Sequence, residues 1–355
     1  MAKVIVGMSG GVDSAVAAYL LKQQGYEVIG VTLRTWQSDT GEDSRCCEID
    51  DARAIARQIG IPYYAFGCLK DFEEKIVKSF IDGYFNGVTP NPCVLCNREI
   101  KWKRLLYYAN VLQADYIATG HYAFIKKLDN GRYTVQTAAH ADKDQAYMLY
   151  RLSQEQLART LMPLGGMTKQ EVREIAKKAG ITVANKPDSQ DICFITDGDY
   201  AGFIQAHAAA PLKGEGNFVD ENGNVLGKHK GIIYYTVGQR KGLGIALGRP
   251  AYVKKIDPRK NEITLSVNEI ACGELICKDL NFMSIPQPRL GEAFECTVKV
   301  RYRHAGQTAT VKTIGEDRVK VTFALPVLYA APGQSAVFYD RDGCVIGGGI
   351  IDEIL

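Results

Sequence analysis

From residue 4 to residue 119 the chain repeats one pattern, a short apolar run followed by a stretch of helical length. That alternation restricts the fold more than any other feature. Residues 4–8, 27–33, 63–67 and 115–119 read as strands, and 12–24, 49–59, 71–85 and 97–111 as helices. Gly25 and Gly60 stand where two of those helices should stop, with Pro62 just beyond the second. Strands separated by helices of this length predict βαβ units and a parallel sheet covered on both faces. Residues 122–137 predict a hairpin turning at Asp129-Asn130-Gly131, while Ser153…Gln156 and Thr168…Glu171 are capping-box pairs. After about residue 210 the texture changes. Asn222-Gly223 and Asp342-Gly343 mark tight turns, and 296–302 and 318–323 alternate like strands with one buried face. The expected architecture is α/β: a parallel-sheet domain over 1–205, a small β-rich central domain over 206–272 and a β-barrel-like domain over 273–355.

At 355 residues the chain has room for two or three domains, and 46% hydrophobic with 23% charged residues is ordinary globular composition. No apolar run approaches the ~18–20 residues that cross a bilayer. The first residues enter a strand-like run without a basic stretch and apolar block, so a cytoplasmic protein is expected. Ten cysteines then read as core thiols, metal ligands or redox catalysts of a reducing compartment. The net charge of +3 hides an uneven distribution. Residues 213–260 carry ten Lys and Arg against four acids, and Arg98, Lys101, Lys103 and Arg104 enclose only Glu99. Such clusters suit a docked polyanion, or are simply solvated charged faces.

Gly7-Met8-Ser9-Gly10-Gly11-Val12-Asp13-Ser14 joins the first strand to the first helix, where unpaired N–H groups and the helix dipole attract phosphate. Gly10 and Gly11 allow close backbone approach, and Ser9 and Ser14 add hydroxyl donors. The Gly-Lys-Ser/Thr of a Walker loop is missing, which argues against γ-phosphoryl transfer. Ser-Gly-Gly-x-Asp-Ser resembles the pyrophosphate-holding loop of the PP-loop ATPases, which cleave ATP between the α- and β-phosphates. Asp13 has two readings, a Mg²⁺ ligand or a helix cap.

Two cysteine segments stand out. In Asn91-Pro92-Cys93-Val94-Leu95-Cys96-Asn97, Cys96 is placed just before a helix rich in Lys and Arg, a setting that lowers a thiol pKa. In 186–195, Cys193 lies where a polar loop enters a short apolar strand. Taken singly, such a cysteine also reads as a small buried hydrophobe. Cys68, Cys272, Cys277, Cys296 and Cys344 sit in apolar contexts and read as core thiols.

The loop, Asn-Pro-x-x-x-Cys-Asn and Asp-Ser-Gln-Asp-Ile-Cys-Phe-Ile, in this order, resemble the bacterial tRNA-specific 2-thiouridylase family. Gly120-His121-Tyr122, Lys143-Asp144-Gln145, the stretch 235–244, Arg301-Tyr302 and 331–334 match as well, so the likeness spans most of the chain. It implies replacement of oxygen by sulfur at C2 of a wobble uridine. ATP with Mg²⁺ adenylates the oxygen, a Cys193 persulfide attacks C2, and Cys96 helps release the product, leaving a Cys96–Cys193 disulfide. The likeness further implies that 7–14, Leu33 and Gly120 hold ATP. Asn91, Pro92 and Cys93 would meet the target base, and His121, Lys143, Asp144, Gln145, Arg301, Tyr302 and Gln334 would contact tRNA. A cysteine desulfurase or relay protein would supply the sulfur. The chain departs from the family in having Cys93 where many members have Asp. Three thiols, Cys93, Cys96 and Cys193, could then hold a 4Fe–4S cluster as related thiolases do, or a zinc ion with Cys46 or Cys47. Two rival readings stay open. One is a PP-loop ligase acting on a small metabolite, although an N-terminal Cys glutaminase signal is not seen; the other is a non-catalytic tRNA-binding or sulfur-carrying module.

Overall fold

The computed structural model describes residues 1–37, 47–185, 192–195 and 197–355. β1 (Lys3–Gly7), β2 (Glu27–Arg34), β3 (Tyr63–Gly67), β4 (Tyr116–Ala118) and β7 (Thr160–Leu161) form one parallel sheet in the order β3-β2-β1-β4-β7. The strand period of two sorts β1 between two cores. Val4 and Val6 pack with α1 (Val12–Gln23) and α2 (Ile49–Ile59), while Ile5 packs under the helical stretches 69–85 and 92–111. All three side chains are fully buried, as strands covered on both faces require.

Several expected boundaries move. The helix expected over 71–85 begins at Leu69, and the one expected from 97 begins at Pro92, with Asn91 as N-cap accepting from the Val94 N–H at 3.4 Å. Asn caps and Pro at the first helical position are both favourable, so the helix extends back through both cysteines. Its middle, Asn97–Trp102, is a π-helical segment. The apolar strand expected after Cys193 is a turn instead, closed by the Ile195 N–H on the Ile192 carbonyl at 3.0 Å. β7 has only two residues and no strand signal of its own.

The hairpin β5 (Ala123–Lys127) and β6 (Tyr133–Thr137) follows the sheet, and both expected capping boxes form. The central unit is a four-stranded sheet, β10 (Tyr252–Asp257), β11 (Glu262–Ser266), β8 (Gly216–Val219) and β9 (Val225–His229). The last unit is a closed six-stranded barrel: β12 (Ala271–Phe282), β13 (Ala293–Lys299), β14 (Gln307–Gly315), β15 (Arg318–Leu328), β16 (Ser335–Tyr339) and β17 (Val345–Ile354). Strand β13 stops before 301–302, which lie in the turn beyond it. The barrel is fastened to the hairpin. Arg132 Nε donates to the Met283 carbonyl at 2.7 Å, and Thr134 Oγ1 to the Val345 carbonyl at 2.6 Å.

Candidate active site

The strand order reverses between β1 and β4, and open parallel sheets bind ligands at such a point, beyond the carboxyl ends of the strands. A cleft with about 740 Å³ of open space lies there. Gly7, Met8, Ser9, Asp13 and Ser14 line it from the loop after β1, and Gly120 and His121 from the loop after β4. Leu33 of β2 and Gln145 complete the expected residues found in its wall. Val12 is buried at the start of α1, and Gly10 and Gly11 shape the loop itself.

The local geometry is that of an anion cradle. The N-cap of α1, Gly11, supplies no side-chain acceptor, so the first N–H groups of that helix are not capped from within. Ser14 Oγ donates to the Gly11 carbonyl at 3.1 Å and accepts from the Ser9 N–H at 3.2 Å, which folds the loop over the helix start. Gly10 has φ +83°, and a Cβ there would come within 2.8 Å of the Glu48 backbone oxygen. Asp13 is neither a bare metal ligand nor a simple cap. Both its carboxylate oxygens accept from Lys169 Nζ, at 2.7 and 2.8 Å, and Oδ1 also accepts from the Tyr122 hydroxyl at 2.7 Å.

Residues that the sequence did not assign to this site join its wall. Lys101, Leu105, Thr35 and Thr119 line the cleft, and Lys169 reaches Asp13 from the helix Lys169–Lys178. Lys101 belongs to the basic cluster noted in the sequence. Lys169 follows the capping-box residue Thr168, but nothing local marks it as a partner of Asp13. His121 bonds through Nδ1 to Thr119 Oγ1 at 2.9 Å, and desolvation, aided by Lys101, lowers its pKa to about 3. The imidazole is therefore neutral at physiological pH.

The cysteines require a correction. Cys96 does not precede its helix; it lies in the second turn and is 6% exposed. Cys93 is the cysteine of the first turn, and it is exposed. Cys193 is partly buried beside Phe194, whose ring packs against Trp36, Phe72, Phe80 and Phe203. Cys96, Phe194 and Leu33 share one apolar cluster, with Cys193 packed at its margin. Residues 186–191 of the Cys193 segment lie outside the described residues, as does Cys46. Among the described residues there is no group of three His, Cys, Asp or Glu side chains placed to hold a metal. Of the two further cysteines in the zinc alternative, only Cys47 lies among the described residues. Cys47 is buried, with its Sγ 3.0 Å from Thr35 Oγ1. Cys68, Cys272, Cys277, Cys296 and Cys344 are all buried thiols, and burial pushes Cys296 up to about 12.

The residues expected at tRNA divide into two sets. Arg301 is exposed, with its guanidinium 5.7 Å from the Tyr329 ring centre, and Lys143 and Tyr302 are partly exposed. Asp144 instead turns inward, accepting from the Ala138 and Ala146 N–H groups at 3.0 and 3.1 Å, with Lys299 of the barrel 3.9 Å away. Gln334 donates through Nε2 to the Thr89 carbonyl at 3.0 Å, and Thr89 N–H donates to the Pro332 carbonyl at 2.8 Å. The barrel turn 331–334 thus grips the segment leading into Asn91, Pro92 and Cys93.

Three family models match in succession: a tRNA methyl transferase HUP domain over residues 2–197, a tRNA methyl transferase PRC-barrel domain over 201–267, and an aminomethyltransferase beta-barrel domain over 272–351. The tRNA-specific 2-thiouridylases MnmA of Lachnoclostridium phytofermentans and Clostridioides difficile are each 50% identical to the chain, covering 99% of it and 99% of their own length. That of Clostridium perfringens is 49% identical with the same coverage. Among solved structures, the U34-tRNA thiolase NcsA of Methanococcus maripaludis aligns with 54% of this chain and 60% of its own, at 22% identity and a TM-score of 0.36, too slight a likeness to carry an argument. Identity near one half along the whole length, over a fold with a phosphate-type loop at its switch point, places the chain in the tRNA-specific 2-thiouridylase family.

Proposed function

We propose that the chain is an ATP-dependent tRNA sulfurtransferase that converts the wobble uridine of tRNA to 2-thiouridine. The observation that carries this reading is that one helical stretch both lines the phosphate-type cleft and bears Cys96. The stretch 92–111 lines the phosphate cleft through Lys101 and Leu105 and bears Cys96 five residues before Lys101. At the α-helical rise of about 1.5 Å per residue that separation would be roughly 7.5 Å along the axis, an upper bound because the span is the wider, shorter π-helical segment.

In this reading the N–H groups of α1, Ser9 and Ser14 hold the phosphates of MgATP, and Lys101 adds positive charge. Adenylation turns the C2 oxygen into a good leaving group and releases pyrophosphate. A persulfide on Cys193 then attacks C2, and AMP departs. Cys96 attacks the sulfur–sulfur bond so that the thiolated base leaves, and a Cys96–Cys193 disulfide is left. Asn91, Pro92 and Cys93 at the mouth of the helix would meet the splayed-out base, which a single-stranded anticodon loop surrenders at modest cost. Lys143, Arg301 and Tyr302 would contact tRNA directly, whereas Asp144 and Gln334 would act by holding the backbone around them. The sulfur donor would be a cysteine desulfurase or a relay protein, and the work would be done in the cytosol. The functional division would be 1–205 for chemistry, 206–272 for tRNA contact and 273–355 for the barrel.

The test is product analysis with uridine-34 tRNA. Pyrophosphate release that depends on tRNA should persist in Cys193→Ala while thiolation disappears. Formation of ADP, or equal turnover of a free metabolite without tRNA, would refute the assignment.

A further inference from the structure

Cys93 and Cys96 lie one helical turn apart at the start of the stretch 92–111, at its second and fifth positions, the first exposed and the second buried. Side chains spaced by three within a turn have Cβ atoms ~5–6 Å apart, which a small adjustment of the first turn brings within disulfide reach. Cys193 is enclosed differently, beside a Phe194 ring wedged among Trp36, Phe72 and Phe80. A Cys96–Cys193 disulfide, the end product of the reaction proposed above, would therefore have its Cys96 sulfur inside the protein. Thiol–disulfide exchange requires the attacking thiolate to reach a sulfur atom, and the buried Cys96 sulfur is closed to a folded protein reductant, whereas Cys93 stands one turn from it.

We propose that Cys93 is the resolving thiol that carries this disulfide to the surface, an inference that rests on the two-cysteine reading above. The Cys93 thiolate attacks Sγ of Cys96, a new Cys93–Cys96 bond forms, the Cys96–Cys193 bond breaks, and Cys193 leaves as thiolate, ready to accept sulfur again. This exchange moves no net electrons. An external dithiol then supplies two electrons and two protons, becomes a disulfide itself, and returns Cys93 and Cys96 to thiols. Position favours Cys93 as the attacker, since helix N-termini stabilise thiolates and only one turn separates it from its target. It also gives the cysteine at 93 a task that an aspartate there could not perform.

The experiment is a single turnover of the full chain, loaded with persulfide, on ATP and uridine-34 tRNA without reductant, followed by alkylation, trypsin digestion and mass spectrometry. Cys93 and Cys96 share one tryptic peptide, ending at Arg98, that excludes Cys193, so the two pairings are unambiguous. Wild type should show an internal bridge in that peptide, and Cys93→Ser a cross-link to the Cys193 peptide. A second readout is the ratio of steady-state rates with a protein dithiol and with a small phosphine, which should fall at least tenfold in Cys93→Ser. Because the ratio is taken within each protein, partial loss of folding cancels. A Cys96–Cys193 cross-link alone in wild type, or an unchanged ratio, overturns the role of Cys93. Thiolated tRNA without a disulfide in either protein overturns the two-cysteine reading beneath it.

Discussion

Gly120 offers the sharpest test of the cleft. Its backbone is pressed against the first turn of α1, so that a Cβ would lie 2.6 Å from the Ser14 nitrogen, 2.7 Å from the Asp13 carbonyl carbon and 3.0 Å from the Asp13 Cβ. Two of these three atoms are backbone, so no side-chain rotation relieves the overlap. Gly120 does not have a positive φ, hence alanine meets no intrinsic backbone penalty and the collision is the whole effect. Ordinary contact begins at 3.4 Å, so the helix start must retreat by the difference from 2.6 Å, about 0.8 Å. Overpacking of this kind costs ~1–3 kcal/mol of stability. The functional loss should be larger, because a displacement of about 1 Å in a positioned site costs on the order of 10²-fold in rate. Gly67→Ala is the matched control, since nothing lies within 4 Å of its Cβ and its φ is not positive. Pyrophosphate release by Gly120→Ala should drop roughly a hundredfold at a melting temperature only a few degrees lower, while Gly67→Ala behaves as wild type. Gly120→Ala with a normal rate would falsify the placement of the nucleotide phosphates at this junction.

Lys169→Met leaves the Asp13 carboxylate without its counter-charge beside the anion cradle, so ATP affinity measured by calorimetry should fall about tenfold. Lys169→Arg should recover most of it, and equal affinities in all three proteins would mean that the pair is only structural. His121, with its folded pKa of about 3 below the ordinary 6.5, stays neutral where the unfolded chain would already protonate. Its contribution to stability is therefore full above pH 6.5 and is lost as pH falls from there toward 3. Denaturation of His121→Gln should show a shallower loss of stability over that window, and identical slopes would contradict the assignment. Gly333 has φ +90°, and a Cβ there would stand 2.9 Å from the Thr89 carbonyl oxygen. Gly333→Ala should reduce thiolation at least tenfold more than it reduces ATP binding, because it displaces the approach to Asn91 and not the phosphate loop; equal losses would point to general unfolding.

What the sequence discloses about this protein is mostly local. The strands around Val4, Val28 and Ile117 announce themselves because a buried parallel strand is a continuous apolar run, and the phosphate loop because Gly10 and Gly11 interrupt the junction between strand and helix. The start of the cysteine-bearing helix was equally local, written in Asn91-Pro92 as a cap followed by a first-turn proline. Reading that pair only as a motif places Cys96 ahead of the helix, whereas the first-turn cysteine is Cys93. β7 has no such trace, because two residues cannot establish a period; its place in the sheet is fixed by pairing with β4.

The contacts hidden from the sequence are long-range and carry the charge logic of the site. A Walker loop contains its own lysine, whereas this loop contains an aspartate, and an anion cradle with an uncompensated carboxylate would repel its ligand. The fold resolves the conflict from two distant segments. Lys169, 156 positions away, neutralises Asp13, and Lys101 faces the cleft from the helix that also bears Cys96. Coupling the phosphate charge balance to the cysteine-bearing helix has a mechanical consequence. On the proposed function, displacing the helix stretch 92–111 would alter the field at the nucleotide and the position of the sulfur chemistry together. Its N-terminal approach is held in turn by the barrel, through Gln334 and Pro332 on Thr89. On the proposed function, the barrel, remote from the cleft in sequence, would thereby help to align the two half-reactions.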